Sequence, residues 1–77
     1  MQIKIELMGS LVDYHPNAKD GVVEIKIKDS SSILDLLNFL KIKRKVVVSV
    51  NGDEEKGLDF ILSEGDEVLI FTVISGG

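Results

Sequence analysis

The sequence predicts an α+β fold in which one main helix packs across one face of a mixed β-sheet. Three observations predict it: two alternating segments early in the chain, an apolar stripe of helical period in the middle, and an apolar run near the end. The chain has 77 residues, of which 44% are hydrophobic and 29% charged, so it suits one small domain. A helix lying across a mixed sheet buries these stripes economically.

The first two strands are indicated by period-two alternation. In residues 2–7 and again in residues 23–28, apolar side chains occupy every second position, so each strand turns one face to the core. The connection between them, residues 8–21, contains a proline and two glycines and is too long for a tight hairpin turn. We therefore expect an antiparallel ribbon with a turn-rich loop.

Residues 33–40 are predicted to form an amphipathic helix. Ser32 is the expected N-cap, because its hydroxyl can accept the amide of Asp35, whose carboxylate can bond back. Basic residues follow within 41–45, at the far end of the helix, where cations complement its dipole; we favour this structural role over a docking role. The apolar stripe, with two residues that widen it, comprises Ile33, Leu36, Leu37 and Leu40, then Leu34 and Phe39.

The second half of the chain predicts two more strands joined by an irregular link. The β-branched run 46–50 is typical of an interior strand, and Asn51-Gly52 supplies the residues that close it. Residues 63–66 form a strong turn signal before the last strand. In the link, three apolar residues are expected to cap one edge of the core: Leu58, Ile61 and Leu62.

The last strand should present different side chains to the two faces of the sheet. If Val68 and Ile70 point toward the helix, alternation sends Leu69 and Phe71 to the other face, with Val47 as a neighbour. Only one helix is predicted, so this second face has no helix to cover it. We expect an apolar docking surface there, with coverage by the link or by a second copy as the alternatives.

Composition excludes several classes of function. Without cysteine the chain has no disulfide, thiolate metal site or thiol nucleophile. A net charge of −4 argues against nucleic-acid binding.

No apolar stretch of membrane-spanning length and no secretory leader is present, so we expect no membrane partner and a cytoplasmic location. His15, the only histidine, is interpreted as a loop residue, and no catalytic residue, metal site or permanently bound cofactor is expected.

The last residues, Ser75-Gly76-Gly77, follow the final strand directly. Glycine has no Cβ, so such a tail can thread a channel too narrow for side chains. We expect one domain over residues 1–77, in which 74–77 form a flexible tail that reaches about 13 Å when extended. An ionised carboxylate on Gly77 is able to attack an activated phosphate and form an acyl-adenylate. A frayed terminus without chemistry is the competing interpretation.

Four segments follow one another along the chain in a distinctive order and spacing. They are Ser32-Ile33-x-Asp35-Leu36-Leu37, Val48-Ser49-Val50-Asn51-Gly52, Leu62-x-x-Gly65-Asp66-x-Val68 and Gly76-Gly77. Taken together, they resemble the MoaD/ThiS family of ubiquitin-like sulfur carriers, which are small β-grasp proteins. The resemblance implies that a ubiquitin-activating-type enzyme uses ATP to adenylate Gly77, and that the product becomes a thiocarboxylate. Gly76 and Ser75 would then thread the tail into the partner.

Several alternatives stay open within this resemblance. The implied acceptor is a molybdopterin synthase large subunit or a thiazole synthase, and related carriers serve tRNA thiolation. Residues 9–14 differ from the Ala-Arg-Leu-Arg-Glu-type segment of MoaD-like members, so the subfamily is undecided. The chain would be a carrier and co-substrate, not an enzyme. A different class is a protein modifier joined through Gly77 to lysines, and a third is a non-catalytic interaction module that uses a sheet edge or the Leu69 and Phe71 surface.

Overall fold

The structure, a computed structural model, describes residues 1–18 and 20–73. The predicted order of strand, strand, helix, strand, link, strand is confirmed, with a 3₁₀-helix added in the first connection. The elements are β1 (Gln2–Leu7), the 3₁₀-helix (Gly9–Tyr14), β2 (Val22–Lys26), α1 (Ile33–Leu40), β3 (Val47–Val50) and β4 (Glu67–Phe71).

The predicted tail, residues 74–77, lies outside the described residues, and with it the assignments for Ser75, Gly76 and Gly77. That the 77 residues form one domain with a flexible tail therefore stays a prediction. Within the described ranges no helix is long and apolar enough to cross a membrane.

The strands of the described chain form one mixed sheet in the order β2-β1-β4-β3. β1 pairs antiparallel with β2 and parallel with β4, while β3 pairs antiparallel with β4. The predicted antiparallel ribbon is confirmed, and on its exposed face Lys4 lies directly opposite Glu24. The last strand of the sequence therefore lies in the middle of the sheet, beside the first.

The prediction that β3 is an interior strand is wrong, because β3 lies at the edge of the sheet. Its outer side is covered instead by the link that follows it. The backbone N–H of Lys56 donates to the Val48 carbonyl at 2.8 Å, and the Ser49 hydroxyl donates to the Asp53 carbonyl at 2.7 Å. This coverage protects an edge that would otherwise be open to pairing with another chain.

Helix α1 begins as the sequence predicts. Ser32 Oγ accepts the Asp35 amide at 3.1 Å, and the Asp35 carboxylate accepts the Ser32 amide at 2.9 Å, which completes a capping box. The helix ends at Leu40, with Lys41 in a left-handed conformation. The predicted stripe is buried, but the two flanking residues are not part of it: Leu34 and Phe39 are 46% and 53% exposed.

The core lies between the inner face of the sheet and α1. Of the three link residues expected to cap it, Leu62 is buried, whereas Leu58 and Ile61 are each 53% exposed, so that expectation is wrong for these two. Buried apolar residues among those described are Ile3, Ile5, Leu7, Leu11, Ile25, Ile33, Leu36, Leu37, Leu40, Ile42, Val48, Val50, Leu62, Val68 and Ile70.

The connection between β1 and β2 ends at Gly21, where the backbone comes into close contact with Leu7. Gly21 has φ +83°, and its carbonyl accepts the Leu7 amide at 2.6 Å. A Cβ at this position would lie 2.5 Å from the Leu7 carbonyl oxygen. Only glycine fits here without a shift of the backbone, so Gly21 fixes where β2 starts against β1.

Candidate functional site

The central strand β4 presents two different faces, as the sequence predicts. Val68 and Ile70 are buried toward the helix, whereas Leu69 and Phe71 point to the other side and are half-buried. Val47 on β3 lies directly opposite Phe71 and is also half-buried. The structure thus brings Val47, Leu69 and Phe71 together on the sheet face that α1 does not cover, which we call the open face. Their predicted docking role stays a prediction.

Met8 also belongs to the open face, and the sequence analysis missed it. Its backbone N–H donates to the Ile70 carbonyl at 3.1 Å, just as the Lys4 amide donates to the Asp66 carbonyl at 3.0 Å. The parallel register therefore continues past β1 and sets Met8 beside Phe71. Met8 is 46% exposed. Extending the alternation of β1 by one residue would have identified it, since position 8 follows Glu6 on the solvent side.

Polar side chains border the apolar part of the open face. Leu69 lies between Glu6 on β1 and Ser49 on β3. Next along the sheet, Lys4 lies opposite Glu67. A shallow depression of about 260 Å³ runs across these residues. An apolar centre with a polar border is the usual anatomy of a protein interface.

The tail begins beside the open face. Val73, the last described residue, is 68% exposed. It shares a hollow with Val47 of the open face, with Lys45 and Val46 of the preceding segment, and with Glu55 of the link. A partner that contacts the open face is therefore next to the point from which residues 74–77 continue.

The motif residues that carry the resemblance hold β3 and β4 together. Asn51 has φ +54°, and its side-chain amide donates to the Asp66 carboxylate at 3.0 Å. The Asn51 side-chain oxygen accepts the Glu67 amide at 2.9 Å. The other Asp66 oxygen accepts the Ser63 amide at 2.8 Å. These bonds fix the turns at which β3 ends and β4 begins, so the motif has a structural role upstream of the tail.

The described residues form no group of three or more histidines, acids or cysteines placed to hold a metal ion. His15 is half-buried, and its Nδ1 accepts the Asn17 amide at 3.1 Å within the loop. The pKa of the Asp29 carboxyl lies below its ordinary value, because the Met1 ammonium donates a hydrogen bond to it at 2.8 Å and attracts its charge. The Met1–Asp29 pair lies at the start of β1, whereas the open-face residue Met8 follows the opposite end of this strand.

Solved structures establish the fold. SAMP1 from Haloferax volcanii is similar over 100% of both chains, with a TM-score of 0.75 and 20% identity. The putative molybdopterin converting factor, subunit 1, from Pyrococcus furiosus is similar over 95% of this chain and 98% of its own, also with a TM-score of 0.75 and 20% identity. Subunits 1 and 2 of the molybdopterin-converting factor from Helicobacter pylori 26695 form a solved complex that contains a chain similar over 100% of both lengths, with a TM-score of 0.62 and 19% identity. The predicted ubiquitin-like β-grasp fold is confirmed.

Sequence comparison identifies the family. Curated proteins give no match. The sequence model of the ThiS family matches residues 6–77, which is nearly the whole chain and includes every motif segment on which the resemblance rests. The chain therefore belongs to the ThiS family.

Proposed function

We propose that this protein is a sulfur carrier whose Gly77 carboxylate is adenylated by a partner enzyme and then converted to a thiocarboxylate. The observation that carries the proposal is the family match, which runs through the diglycine to residue 77. The sulfur would pass to molybdopterin, to the thiazole of thiamin or to tRNA. The protein itself is a carrier and co-substrate, and the catalysis belongs to its partners.

The chemistry needs no side chain from the carrier. A Gly77 carboxylate oxygen attacks the α-phosphorus of ATP, and pyrophosphate leaves, which gives an acyl-adenylate. A hydrosulfide-equivalent nucleophile from a sulfur donor then attacks the acyl carbon, and AMP leaves with the C–O bond electrons. The product is a thiocarboxylate at Gly77. The absence of cysteine is compatible with this route, because the sulfur is held by a backbone carbonyl carbon.

The open face supplies the docking energy in this proposal. Val47, Leu69, Phe71 and Met8 form its apolar centre, and burial of apolar surface contributes about 25 cal/mol per Å² before the costs of association. Ser75 and Gly76 would carry the carboxylate into the partner's active site, over a reach of about 13 Å for the extended tail. The body would thus provide affinity while the tail provides chemistry.

Two kinds of partner follow. One is a ubiquitin-activating-type adenylating enzyme, which supplies the ATP site. The other is a sulfur acceptor, either a molybdopterin synthase large subunit or a thiazole synthase. Support for a synthase comes from the Helicobacter pylori fold relative, which is solved in a complex of subunits 1 and 2 of its molybdopterin-converting factor.

A second candidate function is conjugation to proteins through Gly77. It is favoured by the likeness to the small archaeal modifier protein 1 of H. volcanii, which has a TM-score of 0.71 at 18% identity. In this alternative the same acyl-adenylate is consumed by a lysine amine, which forms an isopeptide bond and again releases AMP. The activation step is shared, and only the nucleophile that follows it differs.

Reconstitution tests the proposal. The protein is incubated with ATP, a cognate activating enzyme and a sulfur donor, and its intact mass is measured. We expect a gain equal to the replacement of one oxygen by sulfur, located at Gly77 by fragmentation. A variant lacking Gly77 should gain nothing, while Phe39→Ala, which changes an exposed helix side chain away from the tail, should react normally as the control. Thiolation of the variant lacking Gly77 would contradict the proposal, and glycine-linked lysines without any thiocarboxylate would support the modifier instead.

A further inference from the structure

A second surface lies on the helix side of the sheet. It is a groove of about 440 Å³, which we call the basic groove, and it is bounded by residues 34, 37–38, 42–46, 48 and 55–58. Buried side chains of the core line its base, among them Leu37 and Val48. An apolar base with polar edges is suited to binding side chains of a partner.

Two exposed leucines stand on the walls of the basic groove. Leu34 comes from α1 and Leu58 from the link, and they are 46% and 53% exposed. They are held next to each other, because the Leu34 amide donates to the Leu58 carbonyl at 3.0 Å. Adjacent exposed leucines beside a concave surface are typical of a contact site for another protein.

The charge of the basic groove is opposite to that of the whole protein. Lys43 and Lys45 line one side and Lys56 the other, and Glu55 is the one acid among the described residues of the lining. Arg44 also borders the groove, but its guanidinium donates to Ser10 Oγ at 3.3 Å. The whole chain carries a net charge of −4. Charges attract a partner over about one Debye length, roughly 8 Å at physiological salt, so this local cluster decides which sign of charge can dock here.

The helix dipole can act on Lys41, the C-cap residue of α1, but it does not account for the basic residues that line the groove. The helix ends at Leu40, and its last turn contains no basic residue. Dipole effects fall off within that turn. Lys43 and Lys45 instead line the basic groove, and the Lys56 ammonium lies 5.2 Å from the centre of the Phe60 ring at its other side.

The basic groove leads to the start of the tail. Lys45, Val46 and Glu55 line both the groove and the hollow that contains Val73. A protein that receives residues 74–77 would therefore lie against this end of the groove.

We propose that the basic groove binds an acidic, leucine-bearing segment of the protein that receives the tail. That the bound segment belongs to the protein that receives the tail rests on the proposed function, but the binding of such a segment to the groove does not. A nucleic acid fits less well, because its phosphates offer no apolar contact to Leu34 and Leu58.

Titration with a synthetic peptide tests this proposal. The probe is a glutamate-rich peptide of about twelve residues that contains two leucines three or four positions apart, so that both lie on one face of a helix. Amide resonances of the ¹⁵N-labelled protein should shift at residues 34, 37–38, 42–46 and 55–58. Replacing both leucines of the peptide by serine, or all its glutamates by glutamine, should weaken binding about tenfold. These peptide controls need no variant of the protein.

Matched variants of the protein give a second, independent test of the same proposal. Lys43→Gln with Lys45→Gln, and separately Leu58→Ser, should each weaken binding about fivefold to tenfold. Ile61→Ser has the same starting exposure of 53% as Leu58, and Lys26→Gln with Lys28→Gln removes two exposed cations from the β2 region. Neither control should change the dissociation constant by more than about twofold.

The proposal would be overturned by the absence of shifts at millimolar peptide, by shifts confined to β1 and β2, or by equal weakening in the control variants. Tighter binding of a single-stranded oligonucleotide of the same charge would also overturn it and assign a nucleic acid to this surface. Because the titration does not involve Gly77, a negative result here leaves the sulfur-carrier proposal standing. Failure of thiocarboxylate formation likewise leaves the binding result standing.

Discussion

The side-chain amide of Asn51 donates a hydrogen bond to the carboxylate of Asp66 at 3.0 Å and so joins the turn after β3 to the turn before β4. The same Asn51 side chain accepts the Glu67 amide at 2.9 Å. Both residues belong to the motif segments by which the sequence resembles its family. In the described part of the molecule they fix the turns at which β3 ends and β4 begins, and β4 is the strand that precedes the tail.

Replacing Asn51 tests this link. Asn51→Gly keeps the left-handed backbone but loses the two side-chain bonds, so we expect a loss of about 1–2 kcal/mol in the free energy of unfolding. Asn51→Ala also places an alanine Cβ in the left-handed conformation, which is strained, so it should lose about 1 kcal/mol more. Urea unfolding measures both values. Equal stability of Asn51→Gly and the unchanged protein would show that the two bonds contribute nothing.

Gly21 should be the most sensitive of the left-handed glycines. Gly21→Ala puts a Cβ at 2.5 Å from the Leu7 carbonyl oxygen and should cost about 3 kcal/mol or more. Gly65→Ala is the matched control, because its φ of +82° is nearly the same but no atom lies within 4 Å of the added Cβ. It should cost only about 1 kcal/mol. Similar thermal unfolding midpoints for the two variants would contradict the role of the close contact.

The ion pair between Met1 and Asp29 predicts a pH dependence of stability. The folded state lowers the pKa of Asp29, so its contribution is fully present above the unfolded value of about 3.9 and is lost as the pH falls through the folded value. Asp29→Asn should therefore be less stable than the unchanged protein at pH 6, and the difference should shrink steadily below about pH 4. Denaturant titrations at several pH values measure it, with Asp13→Asn as the control. A difference that grows toward low pH would contradict the assignment.

The open face should control affinity for the activating enzyme and not the chemical step. Phe71→Ala or Met8→Ala removes docking contacts that are the same before and during adenylation, so KM for the carrier should rise about tenfold while kcat stays constant. Phe39→Ala, on a helix side chain that is 53% exposed, is the control. ATP–pyrophosphate exchange at varied carrier concentration measures both constants. A fall in kcat alone, or an equal effect of Phe39→Ala, would contradict docking through this face.

Local patterns predicted much of the fold because they depend on neighbouring residues. Alternation determined the faces of β1 and β4, and the capping box of Ser32 and Asp35 marked the helix start. The edge position of β3 was not predictable in this way. Its β-branched run resembles a strand covered on both sides, and the cover comes from the link that bonds at Val48.

The candidate site was predictable only in part. Leu69, Phe71 and Val47 follow from alternation, and Met8 would have followed if the alternation of β1 had been extended; that Met8 lies beside Phe71 required knowing that the pairing with β4 continues beyond β1. The basic groove could not be predicted, since residues 41–45 alone do not reveal that the link lies opposite them. Long-range contacts such as Leu34 with Leu58 decide this arrangement.

The chemistry assigned to Gly77 is tested most directly by the intact mass of the protein purified from its native host. We predict a fraction of molecules in which one oxygen is replaced by sulfur, with the change located at Gly77 by fragmentation and absent when the activating enzyme is deleted. Only unmodified molecules, or molecules joined through Gly77 to lysines of other proteins with no thiocarboxylate, would contradict the assignment of a sulfur carrier.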